Sequence, residues 1–143
     1  MHDKITIYSD GGARGNPGPA GIGAVVEIQG KMREISKYIG EATNNVAEYR
    51  ALIEALCLAK TLAREKGLNL KKERVECYLD SELVVRQLKG EYRVKDVKLR
   101  RLFEKLRNFA LEFSMVNFNH ITREFNKRAD RLVNEALDSA VKK

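Results

Sequence analysis

The sequence predicts an α/β fold: one five-stranded mixed sheet, strand order 3-2-1-4-5, with helices on both faces. Three observations lead there. Short β-branched segments punctuated by glycine occupy the chain up to Gly40. A long amphipathic segment follows. Strand-like and helix-like stretches then alternate to the end, which is the pattern of parallel strands joined by crossover helices.

Residues 4–10, KITIYSD, alternate Ile5, Ile7 and Ser9 against Thr6 and Tyr8 and run into glycine, so they read as the first strand. Residues 20–29 and 31–40 read as the second and third, turned at Gly30, and the three form an antiparallel meander. From 45 to 66, Val46, Tyr49, Leu52, Ile53, Leu56 and Leu62 follow helical spacing until Gly67 stops the run. Residues 74–80, RVECYLD, form the fourth strand, and 81–90 a short helix closed by glycine. Residues 97–112 form a helix with Leu99, Leu102, Phe103 and Leu106 on one face. The fifth strand is 114–122, and 127–141 form the last helix, striped by Ala129, Leu132, Val133, Ala136, Leu137 and Ala140. If the first, fourth and fifth strands are parallel neighbours, their carboxyl ends share one edge, where open α/β sheets place ligands.

The 143 residues suffice for one domain, 1–143, and show no repeat, linker or low-complexity tract. The net charge of +7 favours a polyanionic partner such as nucleic acid over a plain solvated basic surface. The amino-terminal MHDKITIYSD has no apolar core, so no secretory signal is expected, and no run is long enough for a membrane span. Cys57 and Cys77 form no metal pattern; both sit among apolar neighbours and read as buried reduced thiols in a cytoplasmic protein.

Four acids carry the chemistry. Each has an ordinary structural reading. Asp10 could open an Asp-Gly turn. Glu48 could complete a capping box begun by Asn45. Asp80 could cap the helix that follows it, and Asp130 could complement the amino-terminal dipole of the last helix. The proposed topology instead aims all four at one region. Carboxylates packed that closely repel by on the order of 4 kcal/mol per near pair before screening, and some would take up protons. A pair of hard divalent cations removes the conflict. Mg²⁺ suits such an oxygen site, with Mn²⁺ as a substitute, and two ions can together drive phosphodiester hydrolysis.

With these residues in place the chain resembles ribonuclease HI nearly end to end. The shared motifs are YSDGGARGNPGPAG from Tyr8, TNNVAEYRAL from Thr43, YLDSELVVRQL from Tyr78 and HITREFNKRADRLVNEAL from His120. The resemblance implies an RNase H-like fold and an endonuclease that hydrolyses the RNA strand of RNA–DNA hybrids, leaving 5′-phosphate and 3′-hydroxyl ends. It implies that Asp10, Glu48, Asp80 and Asp130 hold two Mg²⁺ ions with substrate. Two departures stand out. Only EYRVKD separates Gly90 from Val97, where many relatives insert a basic, tryptophan-containing handle, and this chain has no tryptophan. Many relatives also carry a mobile histidine before the last acid. His120 fits by count but falls in the fifth strand, so Arg123 competes with it as the group that approaches the scissile phosphate.

Substrate contacts are expected from Gly11, Gly12, Asn16, Thr43, Asn44, Asn45 and Ser81. Glycines let backbone amides approach a sugar–phosphate chain, and amide side chains suit a 2′-hydroxyl that both donates and accepts. Arg86, Lys89, Arg93, Lys95, Lys98, Arg100 and Arg101 could hold phosphates of the DNA strand. The expected partner is an RNA–DNA hybrid, with duplex RNA as a further candidate, bound by a monomer. The rival readings are a non-catalytic hybrid- or duplex-binding module and a resolvase-type nuclease on the same fold. The dinucleotide-binding fingerprint is missing, because GIGAVV begins a strand and opens no helix, and this weighs against a nucleotide-cofactor enzyme.

Overall fold

A computed structural model of the protein describes residues 4–141; positions 1–3 of the segment read above for a secretory signal lie outside them. The elements are β1 (Ile5–Ala13), β2 (Gly18–Ile28), β3 (Lys31–Ala42), α1 (Asn44–Glu65), β4 (Arg74–Leu79), α2 (Glu82–Leu88), α3 (Val97–Ala110), β5 (Met115–His120) and α4 (Lys127–Val141). One-turn helices at Leu70–Lys72 and Arg123–Phe125 join them. The sheet order is β3-β2-β1-β4-β5, as the sequence predicts. The first three strands are antiparallel, and β1, β4 and β5 are parallel neighbours.

Strand alternation assigns the two faces. On one, Ile5, Ile7, Ala24, Val26, Val75, Cys77 and Leu79 bury against Tyr49, Leu52 and Leu56 of α1 and Leu106 of α3. Truncating a fully buried leucine such as Leu52 would cost about 2–5 kcal/mol. On the other, Gly21 and Gly23 of β2 lie against the α4 backbone: a Cβ on Gly23 would run into the Ala129 carbonyl. That absence of side chains lets α4 approach the sheet and brings Asp130 down with it.

Three expectations need correction. β1 does not end at Asp10. Gly11, Gly12 and Ala13 pair with Ile22, Gly21 and Ala20, so these glycines are ladder, not loop. The parallel pairing of β1 with β4 stops at Ser9 and Leu79, and Asp10 and Asp80 follow side by side. Second, Asn45 does not cap α1. Thr43 does, its hydroxyl accepting from the Val46 amide at 3.2 Å. Glu48 therefore lies beyond the capping position and is released from a capping box. Third, Cys57 is exposed, because it falls on the solvent side of α1 between buried Leu56 and Ala59; only Cys77 is buried. Among the described residues, no helix is long and apolar enough to cross a membrane.

Candidate active site

The four acids arrive from four elements. Asp10 lies within β1, Glu48 on α1, Asp80 immediately after β4, and Asp130 in the first turn of α4. Each local fold frees its carboxylate. Ser81, not Asp80, caps α2 by accepting from the Val84 amide at 3.3 Å. Gly11 permits α1 to close on β1, since a Cβ there would run into the Ala47 carbonyl group. Glu48, the next residue, thereby reaches the strand.

Carboxylate oxygens of Asp10, Glu48 and Asp80 lie within 4.8 Å of one another. Asp130 lines the same cleft, whose volume is about 430 Å³. Asp10 and Glu48 are almost fully buried, at 8% and 6% exposure. Burial, and then the charge of Asp80, push the Asp10 carboxyl up to about 7, and Asp130 adds to the rise. Burial, and then Asp10, hold Glu48 well above the usual carboxylate range, partly offset by a hydrogen bond from the Gly11 amide. One Glu48 oxygen, Oε2, is buried with no hydrogen-bond partner. A buried acceptor without a donor is costly, and an oxygen-only set with such an orphan fits a hard divalent cation.

Gly11, Gly12, Asn44, Asn45, Ser81 and Arg123 line the acidic cleft. Asn16 and Thr43 instead line an adjoining groove, which shares Asn45 with the cleft. Asn16 accepts from the Asn44 amide at 3.0 Å, and Asn44 accepts from the Ala13 amide at 2.8 Å. This pair of bonds pins the β1–β2 turn to the start of α1. His120, the exposed last residue of β5, is not brought into the cleft, because the strand ends beside Leu79 rather than beside the acids. Of the basic residues on the middle helices, Arg86 is engaged by Glu82 at 2.9 Å and Glu91 at 3.7 Å, and Arg100 sits 3.6 Å from Glu104.

Two residues at or beside the cleft escape sequence reading. Asn126, 1% exposed, donates its side-chain amide to Asp80 Oδ2 and to the Ser9 carbonyl, each at 2.9 Å. Its own carbonyl accepts from the Asp130 amide at 3.1 Å. The signal available was an asparagine directly before a helix, a residue type favoured at helix starts. Arg14, at the β1–β2 turn, lines the cleft itself.

Comparison with known proteins finds relatives over nearly the whole chain. Residues 8–136 match the family model described as reverse transcriptase-like. The chain is 41% identical over 140 residues to a bifunctional protein of Mycobacterium tuberculosis, covering 96% of this chain and 36% of that one. It thus spans about a third of the length of the mycobacterial relatives it matches. It is also 31% identical to the ribonuclease H of Chromobacterium violaceum, covering 96% of this chain and 97% of that protein. The chain belongs to the type 1 ribonuclease H family. A solved ribonuclease H structure, LC11-RNase H1 from a compost metagenome, superimposes with a TM-score of 0.87 at 51% identity, covering 96% and 98% of the two chains. That LC11 protein has also been solved in complex with an RNA/DNA hybrid, with a TM-score of 0.87 to this chain, 50% identity and 96% and 99% coverage. In this chain, only the stretch between Leu88 and Val97 connects α2 to α3, and no helix stands there as a handle.

Proposed function

We propose that this chain is an endonuclease that cuts the RNA strand of RNA–DNA hybrids, leaving 5′-phosphate and 3′-hydroxyl ends. The observation that carries the reading is the convergence of the Asp10, Glu48 and Asp80 carboxylates in a cleft where burial and mutual charge disfavour three bare anions. Family membership and the hybrid-bound LC11 relative support it.

Asp10, Glu48 and Asp80 would hold divalent cations, Mg²⁺ by preference with Mn²⁺ as substitute, and Asp130 would complete the set with substrate. When bound, two such ions supply the positive charge that activates a water and steadies the departing 3′ oxygen. The chain's own residues do the rest. Asn126 orients Asp80 through a hydrogen bond of 2.9 Å. Gly12 and Ala13, with Asn44 and Asn45, form a cleft wall of backbone and amide side chains, which suits a shallow minor groove carrying 2′-hydroxyls. Arg123 lines the cleft, where its guanidinium would meet an entering anionic phosphate.

Strand-specific labelling tests the reading. Hybrid, duplex RNA and duplex DNA are incubated with the protein and Mg²⁺. Cuts confined to the RNA of the hybrid, with products that accept 5′-phosphate-dependent ligation, are expected. Preferential cutting of duplex or branched DNA would replace this reading with a resolvase-type nuclease.

A further inference from the structure

Asp130, Asn134 and Asp138 recur every fourth residue on α4 and so share one helix face. Across from that face stands Arg14. Its Nη2 lies 2.7 Å from Asp138 Oδ1 and 3.4 Å from Asn134 Oδ1. Asn134 in turn donates to the Asp130 carbonyl at 3.1 Å. The Arg14 backbone is fixed: its amide donates to the Pro19 carbonyl at 2.8 Å, and a Cβ on Gly18 would run into its carbonyl. The side chain, by contrast, is 45% exposed and its acidic partner 58% exposed.

Resting on the functional reading above, we propose that Arg14 is a phosphate clamp for the strand being cut. In the free protein it is parked on Asp138; with substrate it transfers to a backbone phosphate next to the scissile one. An exposed ion pair contributes little net stability, whereas a guanidinium grips phosphate through two charge-assisted hydrogen bonds. The contact with Asp138 uses one nitrogen of a group that carries five donors. The turn is already fastened by the Asn16–Asn44 and Asn44–Ala13 bonds, so the ion pair is not needed to shape it. Arg14 and Arg123 line the cleft from two separate segments, so the acids are approached by two cations that are not spent on them.

Binding of a labelled hybrid is measured by anisotropy on the Asp10→Asn background across salt concentrations, and KM and kcat are measured on the wild-type background. Arg14→Ala should weaken binding about 3–10-fold, lower the slope of log affinity against log salt by about 1, and raise KM while kcat stays within about twofold. Arg14→Lys should recover part of the loss. Asp138→Ala should bind at least as tightly as its parent, because it frees the clamp. An unchanged slope in Arg14→Ala overturns the proposal. So does Asp138→Ala weakening binding as much as Arg14→Ala with a matching loss of Tm, which would make the pair a structural staple. A parent protein that binds no hybrid at all would instead sink the functional reading beneath it.

Discussion

The side-chain amide of Asn126 sits 2.9 Å from Asp80 Oδ2 while the same nitrogen reaches the Ser9 carbonyl at 2.9 Å. One buried donor thus ties the end of the β4 pairing to the residue before Asp10. Its main-chain carbonyl meanwhile accepts from Asp130. Partners that orient metal-holding carboxylates typically matter by about 10–100-fold in metal affinity or activity. Asn126→Ala should therefore weaken Mg²⁺ binding, measured by calorimetry, and lower kcat by about that factor with KM little changed. A variant with native Mg²⁺ affinity would reduce Asn126 to a packing residue.

Gly11 and Gly12 are adjacent, yet their surroundings differ. A Cβ on Gly11 would run into Ala47, whereas one on Gly12 meets nothing closer than Val133 Cγ1 at 3.8 Å. Gly11→Ala should push α1 off β1, lower stability by about 1–3 kcal/mol or more, and cut activity at least tenfold by displacing Glu48. Gly12→Ala should fold with near-native Tm. Thermal melts of the two variants beside wild type check the contrast, and equal Tm values would refute it.

The acids make the metal-free protein sensitive to pH. Folded Asp10 holds its proton up to about 7, while the unfolded chain releases it near the ordinary 3.8. The folded state therefore binds more protons between those values, so stability present below about pH 4 is lost as pH rises through about 7. Glu48, also raised, acts in the same direction. Without metal, the difference in Tm between wild type and Asp10→Asn should shift in favour of the variant from about pH 5 to about pH 8. Added Mg²⁺ should stabilise wild type more at the higher pH, because the cation needs deprotonated ligands. A pH-independent difference between the two proteins would contradict the buried charge conflict.

Arg123 lines the cleft and His120 does not. Arg123→Ala should lower kcat/KM on the hybrid by about tenfold or more, the scale of a lost charge-assisted contact to phosphate. His120→Ala should stay within about twofold of wild type. Steady-state kinetics of the two variants decide between them, and the reverse ranking would move the second catalytic role to His120.

Much of the architecture was readable because it rests on periodicity. The α4 stripe from Ala129 to Leu137 and the Val46–Leu62 spacing each have one helical solution. The same reading stopped β1 at Asp10, because paired glycines look like a loop in sequence. Only the register against Ile22 and Gly21 shows that they continue the ladder. The capping alternatives weighed for Glu48 and Asp80 fall away in the structure, because Thr43 caps α1 and Ser81 caps α2. Those local choices matter for the site, since a carboxylate spent on a cap is not free to face a cation. Asn126 was invisible because its importance lies in contacts 46 and 117 residues away in the chain.

The most direct test is Mg²⁺-dependent cleavage of a hybrid labelled on its RNA strand, comparing wild type with Asp10→Asn while both are shown to bind the hybrid. The account predicts RNA cleavage by wild type that vanishes on chelation and is absent from Asp10→Asn at every Mg²⁺ concentration. Full cleavage by the variant, or by wild type stripped of divalent ions, would contradict it.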